Sequence, residues 1–201
     1  MDDNVNYVAS PKRSVRIVLE WVEEIVLALV LIAILFTFAC RIVTVTGTSM
    51  VPSFHNGDRV LVVNTPTGVQ QGDVVVIVNV LNEPIIKRVI ATEGQTVDFD
   101  YANKSVLVDG EPVDETQFGL ENGITEEPFS SLGLLEFPQT VPEGCVFVLG
   151  DNRSVSEDSR YQDVGMIDVR NILGKAVFHL FPLDSVGPVS SVQLVRSKRG
   201  G

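Results

Sequence analysis

The 201-residue sequence is poor in cysteine and in basic residues, and each shortage excludes a class of protein. Its two cysteines, Cys40 and Cys145, cannot form the disulfide framework that holds many small secreted domains together. Lysine and arginine number 15 against 26 acidic residues, and the formal net charge of −11 argues against a nucleic-acid partner. The length suits one compact domain with an appendage.

Long apolar runs are also scarce, because only one stretch is long enough to approach the thickness of a bilayer. Within residues 25–40 every residue except Thr37 is apolar, and in a helix this run covers about 24 Å. The neighbouring apolar pairs at 21–22 and 42–43 supply the rest of a hydrocarbon core of about 30 Å. We therefore predict a transmembrane helix over residues 21–43.

Basic residues flank this segment unevenly. Lys12, Arg13 and Arg16 precede it, so the positive-inside rule predicts that segment 1–20 is cytoplasmic and that the rest lies outside a lipid bilayer. A cleaved secretory signal is a less favoured alternative, since the apolar run is long and no small-x-small cleavage site follows it. A buried core helix is a third possibility, although such a helix normally has a polar face.

The remainder, residues 44–184, predicts a mainly β domain, because short β-branched segments alternate with turn signals. The predicted strands cover residues 60–63, 74–80, 85–90, 106–108, 146–149 and 175–180. Residues 91–144 are acidic and rich in glycine and proline, which indicates a smaller inserted subdomain. The tail 185–201 is predicted to be disordered.

Ser49 stands in the turn-like run Gly-Thr-Ser-Met-Val-Pro at positions 47–52, shortly after the apolar run. A serine hydroxyl becomes a nucleophile only when a base removes its proton. The sequence offers only two histidines for that role. His55 falls in a turn, and His179 falls in a predicted strand, where a structural role is favoured, so a Ser-His-Asp triad has little support.

Lys87 is the better base because it follows apolar residues in a predicted strand. A lysine among apolar neighbours loses hydration, which lowers its pKa and favours the neutral amine that a general base must be. For Lys87 taken alone, an exposed strand lysine is the simpler interpretation. The segment 150–160, Gly-Asp-Asn-Arg-Ser-Val-Ser-Glu-Asp-Ser-Arg, favours a site, since so many polar side chains are costly to order without partners.

Together these segments resemble bacterial signal peptidase I, a membrane-bound Ser-Lys endopeptidase that removes signal peptides from exported proteins. The similarity covers Ser-Met-Val-Pro at 49–52, Gly-Asp-Val-Val-Val at 72–76, the pair Lys87-Arg88 and residues 150–160. The resemblance implies a β-rich catalytic domain on the outer side of the bacterial cell membrane. It further implies Ser49 as nucleophile and Lys87 as general base, with no metal or cofactor.

The resemblance also implies roles for neighbouring residues. Ser156 matches a serine that hydrogen-bonds and orients the lysine, while Asp158 and Arg160 match an acidic and a basic residue that buttress the site. Arg88 is expected to pair with Asp151. The residues that match or flank the family's substrate-binding positions are Val45, Gly47, Met50, Phe54, Ile85 and Ile86.

Gly47 departs from those family members that carry a serine at this position to help bind the oxyanion. We therefore expect the backbone N–H of Ser49 to act with another donor. The implied partner is the signal peptide of an exported preprotein, added as a strand along residues 42–47 and 84–86 and cut after an Ala-x-Ala site. We expect a monomer.

Two other functions remain open from the sequence. One is a non-catalytic signal-peptidase-like factor for the assembly of surface structures such as pili, but such relatives typically lack the serine or the lysine. The other is a LexA-type self-cleaving regulator with a similar Ser-Lys core, which predicts a DNA-binding module. The first forty residues predict a membrane anchor in its place.

Overall fold

The computed structural model of the chain describes residues 13–64, 68–128 and 132–189. The chain divides into two compact units, Met1–Ala39 and Cys40–Gly201. Lys12 and most of the predicted disordered tail, residues 190–201, lie outside the described residues.

The first unit contains, in its described part, the helix α1, Arg13–Ala39. Arg16 and Glu20 pair one turn apart on it, with 3.4 Å between Nε and Oε1. Among the described residues, no helix is both long and apolar enough to cross a membrane. The helix ends at Ala39, so the predicted continuation of helical structure through residues 40–43 is wrong.

The larger sheet of the second unit has eight antiparallel strands. These are β1 (Cys40–Thr44), β2 (Arg59–Val63), β3 (Val74–Ile77), β4 (Ile85–Thr92), β9 (Cys145–Leu149), β10 (Ile167–Asp168), β11 (Ile172–Phe181) and β12 (Gly187–Pro188). Neighbouring strands follow the order β1-β2-β11-β3-β4-β9-β10, and β12 pairs with β11. Strands β3 and β4 are buried along nearly their whole length, and in β4 this burial includes the charged residues Lys87 and Arg88.

The inserted region forms a second sheet of four antiparallel strands in the order β7-β6-β5-β8. These are β5 (Thr96–Asp100), β6 (Ser105–Val108), β7 (Glu111–Pro112) and β8 (Gln139–Thr140), with a 3₁₀ turn at Glu115–Phe118. The apolar side chains of this sheet pack against Phe147 and Leu149 of β9. The inserted sheet therefore shares a core with the strand that leads into residues 150–160.

All six predicted strands are present, as β2, β3, β4, β6, β9 and β11, and the mainly β fold is confirmed. Strand β1 was not predicted, because residues 40–43 were assigned to the helix. Ile42 and Val43 instead pair with Leu61 and Val60 of β2, which satisfies their backbone groups. The prediction that order ends before residue 185 is also wrong, since Gly187–Pro188 pairs with β11.

Candidate active site

Ser49 lies in a tight turn shortly after β1. The Val51 N–H closes this turn by donating to the Thr48 carbonyl oxygen at 3.2 Å. Gly47 adopts a φ of +87°, a left-handed conformation that glycine accepts without strain. Its N–H donates to Oδ1 of Asn56 at 3.0 Å. The backbone before Ser49 is therefore held in place, and the Gly47 N–H is already engaged.

Lys87 lies in the middle of the sheet, in β4 opposite Val75 of β3. It is only 3% exposed, and its Nζ donates a hydrogen bond to Ser49 Oγ over 2.8 Å. The two residues are 38 positions apart in the sequence, so strand pairing and the turn together create the contact. The structure thus brings the predicted nucleophile and the predicted base into direct contact.

Burial lowers the pKa of Lys87 below that of an ordinary lysine, because the charged amine loses hydration. The carboxylates of Asp158 and Glu157 oppose this effect and favour the charged form. The Arg160 guanidinium lowers the pKa further, and the Asp151 carboxylate again raises it. The balance favours a neutral amine at a lower pH than a solvated lysine would allow.

The expected ion pair between Arg88 and Asp151 is present and buried. Arg88 donates from Nε to Oδ1 at 2.8 Å and from Nη2 to Oδ2 at 2.7 Å, a bidentate arrangement. Its Nη1 also donates to the Gly72 carbonyl oxygen at 3.0 Å. The pair therefore fastens the start of segment 150–160 to the residue that follows Lys87.

Asp158 and Arg160 form a second buried pair within the same segment, with 2.8 Å between Arg160 Nε and Asp158 Oδ1. Asp158 Oδ2 also accepts the Gly150 N–H at 3.1 Å, and Arg160 Nη2 donates to the Arg153 carbonyl oxygen at 2.6 Å. These contacts fold the segment upon itself. Among the described residues, no group of three or more His, Cys, Asp or Glu side chains could hold a metal ion.

Ser156 does not make the predicted hydrogen bond to Lys87. Its side chain is buried, and within the described part of the chain its Oγ has no hydrogen-bond partner. A Cβ added to Gly150 would lie 2.3 Å from Ser156 Oγ, so this hydroxyl packs against the Gly150 backbone. The lysine amine bonds to Ser49 instead.

An open groove of about 210 Å³ lies between residues 43–46 and residues 83–86. Three of the residues predicted to bind substrate, Val45, Ile85 and Ile86, line this groove. The two walls come from β1 and β4, which three other strands separate in the order of the sheet. In the described residues β1 pairs only with β2, and β9 pairs with β4 only from Arg88 onward. The edge of β1 away from β2 and the part of β4 before Arg88 thus lack a neighbouring strand among the described residues, whereas the N–H and C=O of Val45 are bonded to Asp58 and Gly57.

Three other predicted substrate residues do not line this groove. Met50 and Phe54 are almost fully buried and belong to the apolar cluster that includes Val45 and Ile86. The Phe54 ring lies against His179, with 5.1 Å between ring centroids. Gly47 lies just beyond the lining residues 43–46. Met50 and Phe54 therefore share an apolar cluster with two of the groove residues without lining the groove themselves.

His179 has the structural role that the sequence favoured. Its Nε2 lies 2.9 Å from Oδ2 of Asp58, and both side chains are buried. His55 is exposed, as predicted for its turn. Neither histidine is bonded to Ser49, whose Oγ contacts Lys87.

Comparison with known proteins shows the family of the chain. The family model described as signal peptidase, peptidase S26, matches residues 18–181. Signal peptidase I of Bacillus licheniformis is 35% identical over 172 residues, which cover 83% of this chain and 90% of that protein. The chain belongs to the signal peptidase family, peptidase S26. As a member it is a hydrolase, a serine endopeptidase.

Two further relatives of this S26 peptidase are similar over different lengths. Signal peptidase IB of Staphylococcus aureus (strain COL) is 34% identical over 176 residues, covering 82% of this chain and 90% of that protein. A signal peptidase I crystal structure from Enterococcus faecalis V583 has a TM-score of 0.41 and 25% identity. That match covers 55% of this chain and 98% of the other.

The sequence did not predict several contacts of this signal peptidase family member. Arg153 belongs to the motif at 150–160, but the motif suggested no role for it. In the structure its Nη2 donates to Glu115 Oε2 at 2.7 Å, and both side chains are buried. Arg153 Nη1 also donates to Thr125. Glu115 is one of many acidic residues of the inserted region, so no sequence signal singled it out.

Proposed function

We propose that the chain removes signal peptides from exported preproteins by hydrolysing the peptide bond after a small-x-small site, typically Ala-x-Ala. Ser49 is the nucleophile and Lys87 the general base. The observation that carries the proposal is the 2.8 Å hydrogen bond between buried Lys87 Nζ and Ser49 Oγ. A neutral amine in this position can accept the hydroxyl proton directly.

The reaction follows from this contact. Lys87 Nζ takes the Ser49 proton while Oγ attacks the carbonyl carbon, and the resulting ammonium donates a proton to the leaving amine as the C–N bond breaks. Water then attacks the acyl-enzyme, Lys87 accepts a proton from it, and the Ser49 oxygen regains a proton as the carboxylic product leaves. Every proton that moves passes through one amine.

The groove accounts for the choice of substrate. An extended peptide added along residues 43–46 and 84–86 would bond through its main chain, which requires no particular sequence. Its side chains would meet branched apolar walls, including Val45 and Ile86, which are nearly fully buried. We expect these walls to accept a small side chain such as alanine and to disfavour larger ones.

The test is cleavage of a preprotein by the full chain reconstituted in lipid vesicles. We expect a new N-terminus immediately after Ala-x-Ala by mass spectrometry. Replacing the alanine before the cut by leucine should reduce kcat/KM by roughly 100-fold, the upper range for a misfit in an apolar pocket. Cleavage at unrelated sites, or equal cleavage of the leucine substrate, would reject the proposed specificity.

The same preparation tests a membrane anchor. We propose that the helix before residue 40 holds the protein in the bacterial cell membrane with the N-terminus in the cytoplasm, on the basis of the apolar run 25–40 and the flanking charges. A monomer would suffice, because the nucleophile and base come from one chain. Release of the protein from the vesicles by alkaline carbonate would contradict the anchor.

Activity is expected to rise with pH as Lys87 loses its proton, because only the neutral amine acts as base. The exposed carboxylate of Glu157 raises the pKa of Lys87 by stabilising its charged form. Replacing Glu157 by glutamine should therefore lower that pKa and move the rising limb of kcat/KM to lower pH. The other charged groups that act on the Lys87 amine, Asp158, Arg160 and Asp151, are the same in the variant and in the unmodified chain.

The matched control variant is Glu143→Gln, which removes an exposed charge from the turn before β9. It should leave the rising part of the pH profile of kcat/KM at the same pH. Because Glu157 is exposed, its effect should shrink at high ionic strength. A shift of the limb to higher pH in Glu157→Gln would contradict Lys87 as the titrating base.

A further inference from the structure

Asn152 connects segment 150–160 to the turn that carries Ser49. Its backbone N–H donates to the Ser49 carbonyl oxygen at 3.0 Å. Its side-chain Nδ2 donates to the Thr48 carbonyl oxygen at 3.2 Å. One residue therefore holds the two carbonyl groups on either side of the nucleophile, from a position 103 residues later in the chain.

The second of these bonds acts together with the turn bond from the Val51 N–H to the same Thr48 oxygen, and the two fix the direction of the Ser49 N–H. A trans peptide unit is planar, and its C=O and N–H groups point in opposite directions. The Thr48 carbonyl and the Ser49 N–H belong to the same unit, so the bond from Asn152 turns that N–H away from Asn152. Among the described residues the Ser49 N–H has no acceptor, whereas the Gly47 N–H is bonded to Asn56.

The orientation of the Asn152 amide is itself determined. The Ser154 hydroxyl donates to Asn152 Oδ1 at 3.0 Å, which leaves Nδ2 to face the Thr48 carbonyl. The close approach of the two loops depends on Gly150, because a Cβ added there would lie 2.5 Å from the Ser49 carbonyl oxygen. Residues 150–154 therefore contact and fix the peptide units on both sides of Ser49.

We propose that Asn152 is a positioning residue that aims the Ser49 N–H at the oxygen of the scissile carbonyl. In acyl transfer this oxygen becomes negatively charged, and an aimed donor stabilises it more in the transition state than in the ground state. The inference rests on the proposed function, with Ser49 as nucleophile. It gives Asn152 a role separate from that of Lys87, since no hydrogen bond joins these two residues in the described structure.

The test compares Asn152→Ala and Asn152→Asp with the unmodified full chain. Alanine removes the side-chain donor, whereas aspartate also places a carboxylate oxygen against the Thr48 carbonyl; both keep the backbone bond to Ser49. Loss of one oxyanion donor costs about 100- to 1000-fold, so misaiming it should lower kcat by about 10- to 100-fold. The aspartate variant should be the slower, and KM should change by less than about threefold.

Two further measurements distinguish a misoriented Ser49 N–H from a general distortion of segment 150–160. A peptide aldehyde ending in Ala-x-alaninal adds to Ser49 and places its oxygen where the oxyanion forms, so its inhibition constant should rise by the same factor as kcat falls. In Asn152→Ala the rising limb of the pH profile should stay in place, because the charged groups acting on Lys87 are unchanged in that variant. A distorted segment 150–160 would move that limb, since Asp158 and Glu157 belong to it.

Asn103→Ala is the matched control. It removes an exposed asparagine whose Nδ2 donates to Asp100 at 2.7 Å in a turn of the inserted sheet, and kcat should be unchanged. Ser154→Ala, which frees the Asn152 amide, should give a smaller loss than Asn152→Ala. Unchanged kcat in Asn152→Ala, or a kcat loss without loss of aldehyde affinity, would overturn the inference. Failure of the unmodified chain to cleave a preprotein would instead reject the proposed function.

Discussion

Replacement of Lys87 by methionine is expected to abolish cleavage of a preprotein while the protein remains folded. Methionine has a similar length and no charge, and position 87 is only 3% exposed, so the change removes a buried amine without opening a cavity. Without the amine, no other side chain of the described residues is bonded to Ser49 Oγ to accept its proton. Loss of a general base alone costs about 100- to 10 000-fold, and kcat should fall by at least that factor.

Comparison with Ser49→Ala makes this prediction specific. If the two residues act as one unit, then Lys87→Met, Ser49→Ala and the double variant should all retain nearly the same residual rate. Thermal unfolding of each should stay close to that of the unmodified chain. A double variant that loses the product of the two single effects would show that Lys87 and Ser49 act independently, and substantial cleavage by Lys87→Met would remove the lysine from the mechanism.

The sequence pointed to Ser49 and Lys87 only when several segments were considered together. Turn residues surround Ser49, but Lys87 taken alone favoured an exposed strand lysine, and the polar segment 150–160 was needed to favour a site. The strand pattern of β2, β3 and β4 is local, since alternating or continuous apolar residues depend on near neighbours. Such features need no knowledge of which strands pair.

Contacts that depend on long-range pairing could not be obtained in this way. Residues 40–43 continue an apolar run and look helical, yet β2 offers them a pairing partner that sequence spacing does not show. Ser156 was assigned to Lys87 by resemblance, but its position against the Gly150 backbone follows from how segment 150–160 folds. Motif spacing gives the residues of this segment without giving the direction in which each side chain points.

Glu115→Ala is expected to destabilise the protein more than any exposed substitution in the inserted sheet. Glu115 and Arg153 are both buried, and their bidentate pair joins the 3₁₀ turn Glu115–Phe118 to segment 150–160. Removal of the carboxylate leaves the Arg153 guanidinium buried with only Thr125 and the Gly150 carbonyl as acceptors. An uncompensated buried charge of this kind costs about 3–5 kcal/mol.

Thermal unfolding measures the effect, and a loss of this size should lower Tm by about 10 °C in a domain of this length. The matched control is Glu126→Ala, which breaks the exposed pair with Lys104 in the same region and should leave Tm almost unchanged. Equal Tm values for the two variants would contradict the assignment of Glu115–Arg153 as a buried link.

A double variant separates the stabilising role of this link from its positional role. Glu115→Leu combined with Arg153→Met removes both charges, and apolar side chains of similar volume often restore the stability that a single substitution loses. Arg153 Nε also donates to the Gly150 carbonyl oxygen at 2.9 Å, and Gly150 is the residue that lies against the Ser49 backbone. We therefore expect the double variant to regain most of its Tm but to retain a lowered kcat, because the inserted sheet no longer positions the segment that holds the nucleophile.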